Sequence, residues 1–221
     1  MNRLNKKFII GAAVALFAIT GAFAQITTAS AYFKSVSEYY ASLKDYEADF
    51  TITINKTVTS GSLSYMAPNY VRMDYVVPTN QVICYNGDFL TMYLPETSAV
   101  LQQEPQGGNP KSPLGLSLMS RYYTVAYETG QAAVPLEPDS DEMVVKFILY
   151  RKSAAEAFRY IKISVNPDTK LIRKMEAVTP AGVTFTFLFT NYRLNQGISE
   201  QRFIYDAPSS ANNLNNFLFT E

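Results

Sequence analysis

The chain has 221 residues, 19 Lys and Arg balanced by 19 Asp and Glu, one cysteine and no histidine. A neutral chain without basic runs argues against nucleic-acid binding. The lone Cys84 excludes an internal disulfide, and its place inside an apolar run predicts a buried small hydrophobe.

Residues Met1-Asn2-Arg3-Leu4-Asn5-Lys6-Lys7 precede an apolar run over 8–23 that ends in Ala22-Phe23-Ala24. A basic start, an apolar segment broken by Gly11 and Gly21, and an A-x-A site predict a signal peptide over 1–24, cleaved near Ala24, rather than a membrane span. Its removal takes three basic residues and no acidic one, leaving a slightly acidic chain. Residues 25–221 are then expected to form a single domain, secreted and free of a lipid anchor because the leader contains no cysteine.

Phe33, Val36, Tyr40, Leu43 and Tyr46 recur at intervals of three and four, which predicts an amphipathic helix. From Ala48 the period becomes two: Phe50, Ile52 and Ile54 alternate with polar residues, as do Leu63 and Tyr65. Further strands are expected over 70–76, 81–85, 89–94 and 99–102, punctuated by Pro78, Asn86-Gly87 and Pro95. A Gly- and Pro-rich loop over 104–110 leads into "SPLGLSLMSRYY", whose Leu114, Leu118, Met119 and Tyr122 share one helical face. Strands resume over 142–150, 158–165, 171–177, 183–190 and 201–205. Ten or eleven strands with two helices predict a mainly β fold: one open, strongly curved antiparallel sheet with amphipathic helices over its concave face.

Reactive chemistry is scarce. The chain lacks a histidine base, a G-x-S-x-G elbow, a P-loop and paired cysteines, so neither enzyme activity, cofactor nor metal is expected. A binder is the better reading. Ile52, Leu63, Ile83, Phe147, Ile163, Phe185 and Phe187 would give the sheet an apolar face that two helices cover only in part, leaving either a ligand cavity or a protein interface.

Pro68, Tyr70-Val71-Arg72-Met73, Tyr75, Pro78, Asn86-Gly87 and Tyr93, followed in order by "SPLGLSLM", "TPAGVTFTFLF" and "RFIYDAP", resemble the periplasmic lipoprotein carriers of the LolA family. Met73 stands where the family commonly has an aromatic, and Thr179 where it commonly has an aspartate. The resemblance implies an open half-barrel with a helical lid that ferries acylated lipoproteins across the periplasm. It implies as partners an inner-membrane ABC-type releasing complex and, beyond it, an outer-membrane acceptor. An envelope sensor or structural protein using the same fold to bind a protein partner or another lipid is the alternative.

The resemblance also implies that Arg72 reaches lid backbone groups across the cavity and latches the lid. The expected acyl-chain cavity comprises Phe33, Val36 and Tyr40 from the first helix, with Ile52, Leu63, Tyr65, Ile83, Met92, Phe147, Ile163, Met175, Phe185 and Phe187 from the sheet. Leu114, Leu118 and Met119 would compete with the ligand for that space. Met66, Met92, Met119 and Met175 suit such a surface, being flexible and polarizable. The chain is expected to act as a monomer.

Overall fold

Thr28 is extended and its hydroxyl accepts the N–H of Ala31 at 3.2 Å, satisfying one of the free donors that open helix α1 (Ala29–Ser42). The helix ends at the extended Leu43. Tyr46, expected on the helical stripe, instead lies in strand β1 (Asp45–Ile54). Buried Asp45 explains the break, since its carboxylate accepts the N–H groups of Gln196 at 2.7 Å and Gly197 at 3.1 Å and pins the chain before a further helical turn can form. The structure is a computed structural model that describes residues 27–104 and 115–215, so the expected signal peptide and Leu114 lie outside the described residues.

An antiparallel meander continues through β2 (Thr57–Met66), β3 (Tyr70–Val77), β4 (Val82–Tyr85), β5 (Leu90–Leu94) and β6 (Ala99–Gln103). At Asn86-Gly87 the turn works through the Asn86 side chain, whose oxygen accepts the N–H groups of Asp88 and Phe89, while Gly87 takes a φ of 93°. Helix α2 (Leu116–Tyr122) runs directly into β7 (Tyr123–Tyr127), followed by the two-residue β8 (Val134–Pro135). The second meander is β9 (Met143–Arg151), β10 (Tyr160–Val165), β11 (Ile172–Val178) and β12 (Thr184–Leu194), and the tail adds β13 (Asn212–Asn215).

All strands join one open sheet ordered β13-β6-β5-β4-β3-β2-β1-β12-β11-β10-β9-β7, with β8 beside β9. β1 and β12 weld the two meanders, and the terminal strands β13 and β7 do not pair with each other, so the half-barrel stays open. Register shifts near Glu47, Ser60 and Ser164 supply the bulges that bend so wide a sheet. Among the described residues thirteen strands occur, more than the ten or eleven expected. The additions are β7, which follows its helix without a break, the minimal β8, and β13, which pairs in parallel with the β6 edge.

Opposite residues in a ladder share a face. One such row joins Tyr127, Phe147, Ile163, Met175, Phe187 and Ile52 across β7, β9, β10, β11, β12 and β1. A second joins Ala48, Leu63, Met73, Ile83, Met92 and Leu101 across β1 to β6. Ala48 and Ile52 are even positions of a single strand, so both rows line the inner face. Helix α1 covers the β7 to β12 half: Phe33 and Val36 are fully buried there, and the Phe33 ring meets that of Phe147 edge-on at 5.8 Å.

The outer face of the other half carries the C-terminal segment. Residues 201–205, expected as a strand, instead form a 3-10 turn over Glu200–Phe203 and an extended run after it. The segment lies across the sheet rather than along an edge, so side chains and not a strand partner satisfy its carbonyls. Cys84 is buried as expected, and its thiol donates to the Phe203 carbonyl at 3.1 Å. Phe203 is fully buried among Val82, Cys84, Tyr70 and Met66. Met66 therefore belongs to this outer cluster and not to the inner surface.

Candidate binding cavity

Between α1, α2 and the inner face lies a cavity of about 890 Å³, at the upper end of the range for small-ligand sites. Tyr40 of α1, Leu116, Leu118 and Met119 of α2, Leu63 and Tyr65 of β2, and Met175 of β11 line it, together with Tyr46, Tyr123, Val125, Ile172, Phe189 and Tyr192. Its wall is mainly carbon.

The strand register places all ten expected sheet residues on the inner face, but they do different things there. Leu63, Tyr65 and Met175 reach the cavity. Ile52, Phe147 and Ile163 are buried, and Phe147 and Ile163 share one core with Phe33 and Val36 of α1. Phe185 packs at the margin of that core, its ring 6.0 Å from Phe158. Phe187 is half-buried and stacks on Phe189 at 6.4 Å. Ile83 and Met92 share the face but lie away from the cavity, half-exposed on the half of the sheet that α1 leaves uncovered. On α2, Leu118 and Met119 line the cavity. Tyr122 does not; it is 42% exposed, because the helix ends there and the chain turns its neighbour Tyr123 inward.

Sequence periodicity did not disclose the aromatic end of the cavity. Tyr46 stacks on Tyr65 at 4.9 Å and meets Tyr40 edge-on at 5.8 Å. Tyr40 accepts the Ile172 N–H at 2.9 Å and shares a 3.3 Å hydrogen bond with Tyr192, which in turn donates to the Ile172 carbonyl at 2.9 Å. Burial pushes the hydroxyls of Tyr40, Tyr46 and Tyr192 above the ordinary tyrosine range, so all three stay neutral. Neutral phenols add no charge to this end, and the charged residues of the lining are Lys34, Glu38 and Lys152. The one signal that could have found this cluster is the density of tyrosine at 39, 40 and 46, which helical periodicity absorbs into a single stripe. Ser37 of α1 also faces the cavity, and its buried hydroxyl has no hydrogen-bond partner among the described residues.

Arg72 corrects the sequence expectation. It alternates with the inward Val71 and Met73 and therefore lies on the outer face. Its guanidinium donates to Asp74 at 2.9 to 3.1 Å and to the carbonyls of Arg202 at 3.0 Å and Ile204 at 3.1 Å, with its charge 5.6 Å from the Tyr205 ring. Arg202 also pairs with Asp74 and donates to Ser64 at 3.2 Å. Burial acts to raise the Asp74 pKa, but the bonds from Arg72 and Arg202 outweigh it and hold that carboxyl below the ordinary range. Among the described residues Arg72 bonds to neither helix; it clamps the C-terminal segment to the back of the sheet.

No group of three or more potential metal ligands occurs among the described residues, and no helix among them is long and apolar enough to cross a membrane.

Known proteins share both the sequence pattern and the architecture. The carrier proteins named outer-membrane lipoprotein carrier protein from Pseudomonas paraeruginosa and Pseudomonas aeruginosa are each 22% identical over 155 residues, 68% of this chain and 68% of theirs. The crystal structure of an uncharacterized conserved protein from Thermus thermophilus superposes with a TM-score of 0.57 at 11% identity, covering 84% of this chain and 98% of that one. MucB superposes with a TM-score of 0.50 at 12% identity, covering 81% of this chain and 63% of its own. These structures share the fold. The family model described as outer membrane lipoprotein carrier protein LolA matches residues 41–206, and the chain belongs to that family.

Proposed function

We propose that the chain is a periplasmic carrier that takes up the acyl chains of lipoproteins and moves them from the inner membrane towards the outer membrane. The observation that carries this reading is the cavity of about 890 Å³, whose wall is mainly carbon with neutral tyrosines at one end. Burying a methylene contributes roughly 0.8 kcal/mol, so a long acyl chain gains on the order of 10 kcal/mol or more in such a site. A carrier must also release. Leu118 and Met119, on a helix of only seven residues, move out of the space they occupy and return when cargo leaves. The Ser37 hydroxyl offers a donor to an acyl ester carbonyl, which an alkyl chain alone would leave unpaired.

In this reading an inner-membrane ABC-type complex supplies the lipoprotein and an acceptor at the outer membrane receives it, with the leader over 1–24 directing export. The binding step involves no bond making, and the protein contributes shape, dryness and a movable cover.

Displacement of an apolar fluorescent probe tests the reading, using one peptide with and without its N-terminal acyl chains. Saturable displacement by the acylated peptide alone is the expected result. Equal displacement by both forms, or by neither, overturns it.

A further inference from the structure

Seven arginines occur among the described residues, and four of them, Arg72, Arg173, Arg193 and Arg202, form ion pairs with Asp or Glu. The other three, Arg121, Arg151 and Arg159, meet in one corner of the molecule. There the Arg151 N–H bonds to the Arg159 carbonyl at 3.4 Å and the Lys152 N–H to the Tyr122 carbonyl at 2.9 Å, drawing the end of α2 and the ends of β9 and β10 together. The Lys152 ammonium donates to the carbonyls of Ser120 and Arg121 at 2.9 and 3.2 Å, and the Arg121 charge lies 5.6 Å from the Tyr122 ring.

Arg121, Lys152 and Arg159 are exposed, and none of the four cations forms an ion pair among the described residues. Glu156, the one carboxylate in the turn between β9 and β10, pairs with none of them. On a chain with no excess of basic residues, this is a concentrated patch. Tyr122 stands in it open to water, at 42% exposure.

We propose that this corner is a docking surface for the anionic phosphate headgroups of a phospholipid bilayer. Unpaired guanidinium groups match phosphate oxygens bidentately. The exposed Tyr122 favours a bilayer over an acidic protein segment, because a ring with an apolar body and a polar tip is at home at the headgroup boundary. Lys152 belongs both to this corner and to the cavity wall, so docking here brings the α2 side of the cavity to the lipid surface. Docking through these cations does not depend on what the cavity carries.

Sedimentation of the exported protein with vesicles tests it. Vesicles of equal phosphatidylglycerol and phosphatidylcholine are compared with pure phosphatidylcholine at low salt. Each cation near an anionic surface strengthens partition roughly fivefold, so Arg121→Gln with Arg159→Gln weakens binding roughly 30-fold. The charge-matched control Lys44→Gln with Lys56→Gln, at exposed cations outside the corner, leaves binding unchanged. Probe binding in the cavity reports that each variant is folded, and separates a failure here from a failure of the carrier reading. Absence of binding to the anionic vesicles, an equal loss in the control, or capture of soluble polyglutamate with none of the vesicles overturns the proposal.

Discussion

Replacing Arg72 by leucine separates a clamp on the outer face from a latch on the lid. The substitution keeps an apolar stem against Tyr205 and deletes the guanidinium, leaving the carbonyls of Arg202 and Ile204 without their donor and Asp74 with Arg202 as its remaining partner. The Arg72 and Asp74 side chains are 16% and 29% exposed, so water replaces the lost bonds only in part. Hydrogen bonds to a charged group contribute about 1.5–3 kcal/mol, and the Ile204 carbonyl, being more open, recovers most of its share. The expected loss is about 3 kcal/mol, which for a domain of this size lowers the melting temperature by roughly 6–12 °C. Differential scanning calorimetry measures it. Apolar-probe affinity in the same variant is expected to stay within about twofold of wild type, because Leu63, Tyr65 and the rest of the cavity face the other way. A variant with unchanged melting and a tenfold change in probe affinity would refute the clamp and restore a lid role.

Asp74 titrates with a lowered folded-state pKa, so its contribution to stability is complete above about pH 4–5 and is lost as pH falls further; Asp74→Asn is expected to flatten the melting curve between pH 5 and 3. At the alkaline end the buried phenols act in the opposite sense. Their raised folded-state values give full stability below about pH 10 and a decline above it. Tyr46→Phe, removing a hydroxyl without a hydrogen bond among the described residues, is expected to reduce that decline in melts from pH 8 to 11. A methyl group at Gly61 would meet the Asp74 carbonyl at 2.1 Å, so Gly61→Ala forces β2 and β3 apart and is expected to lose about 1–3 kcal/mol in urea denaturation. Leu63→Trp fills the cavity and is expected to weaken probe binding roughly tenfold, whereas Ile83→Trp, on the same face but outside the cavity, leaves it unchanged.

Much of the inner face was legible because its signal is local. Alternation along single strands assigned Ile52, Leu63, Ile83, Met92, Ile163 and Phe187 to one side, and ladder register then brings them into two continuous rows. Other elements left no such trace. β13 is exposed along its whole length and joins through backbone bonds, so no hydrophobic pattern announces it. Phe203 is apolar on both readings of its segment, as a strand residue or as a plug on the back of the sheet.

Arg72 shows where local reading stops. Its strand has an apolar inner face at Val71 and Met73, and an outer side that the tail covers through Phe203 and Tyr205, so alternation alone gives no sign of which side an arginine should take. Periods of two and 3.6, set by neighbouring residues, already carried the two amphipathic helices, most strands and the apolar character of the inner face, and the order of its motifs carried the family pattern. Tertiary structure alone decided which inner residues line a cavity and which are core, the tyrosine cluster at its end, and the clamp of Arg72 on the tail. Each of those depends on segments more than a hundred residues apart, Tyr40 with Tyr192 and Arg72 with Ile204, whose meeting is fixed by how the sheet curves and where its ends return.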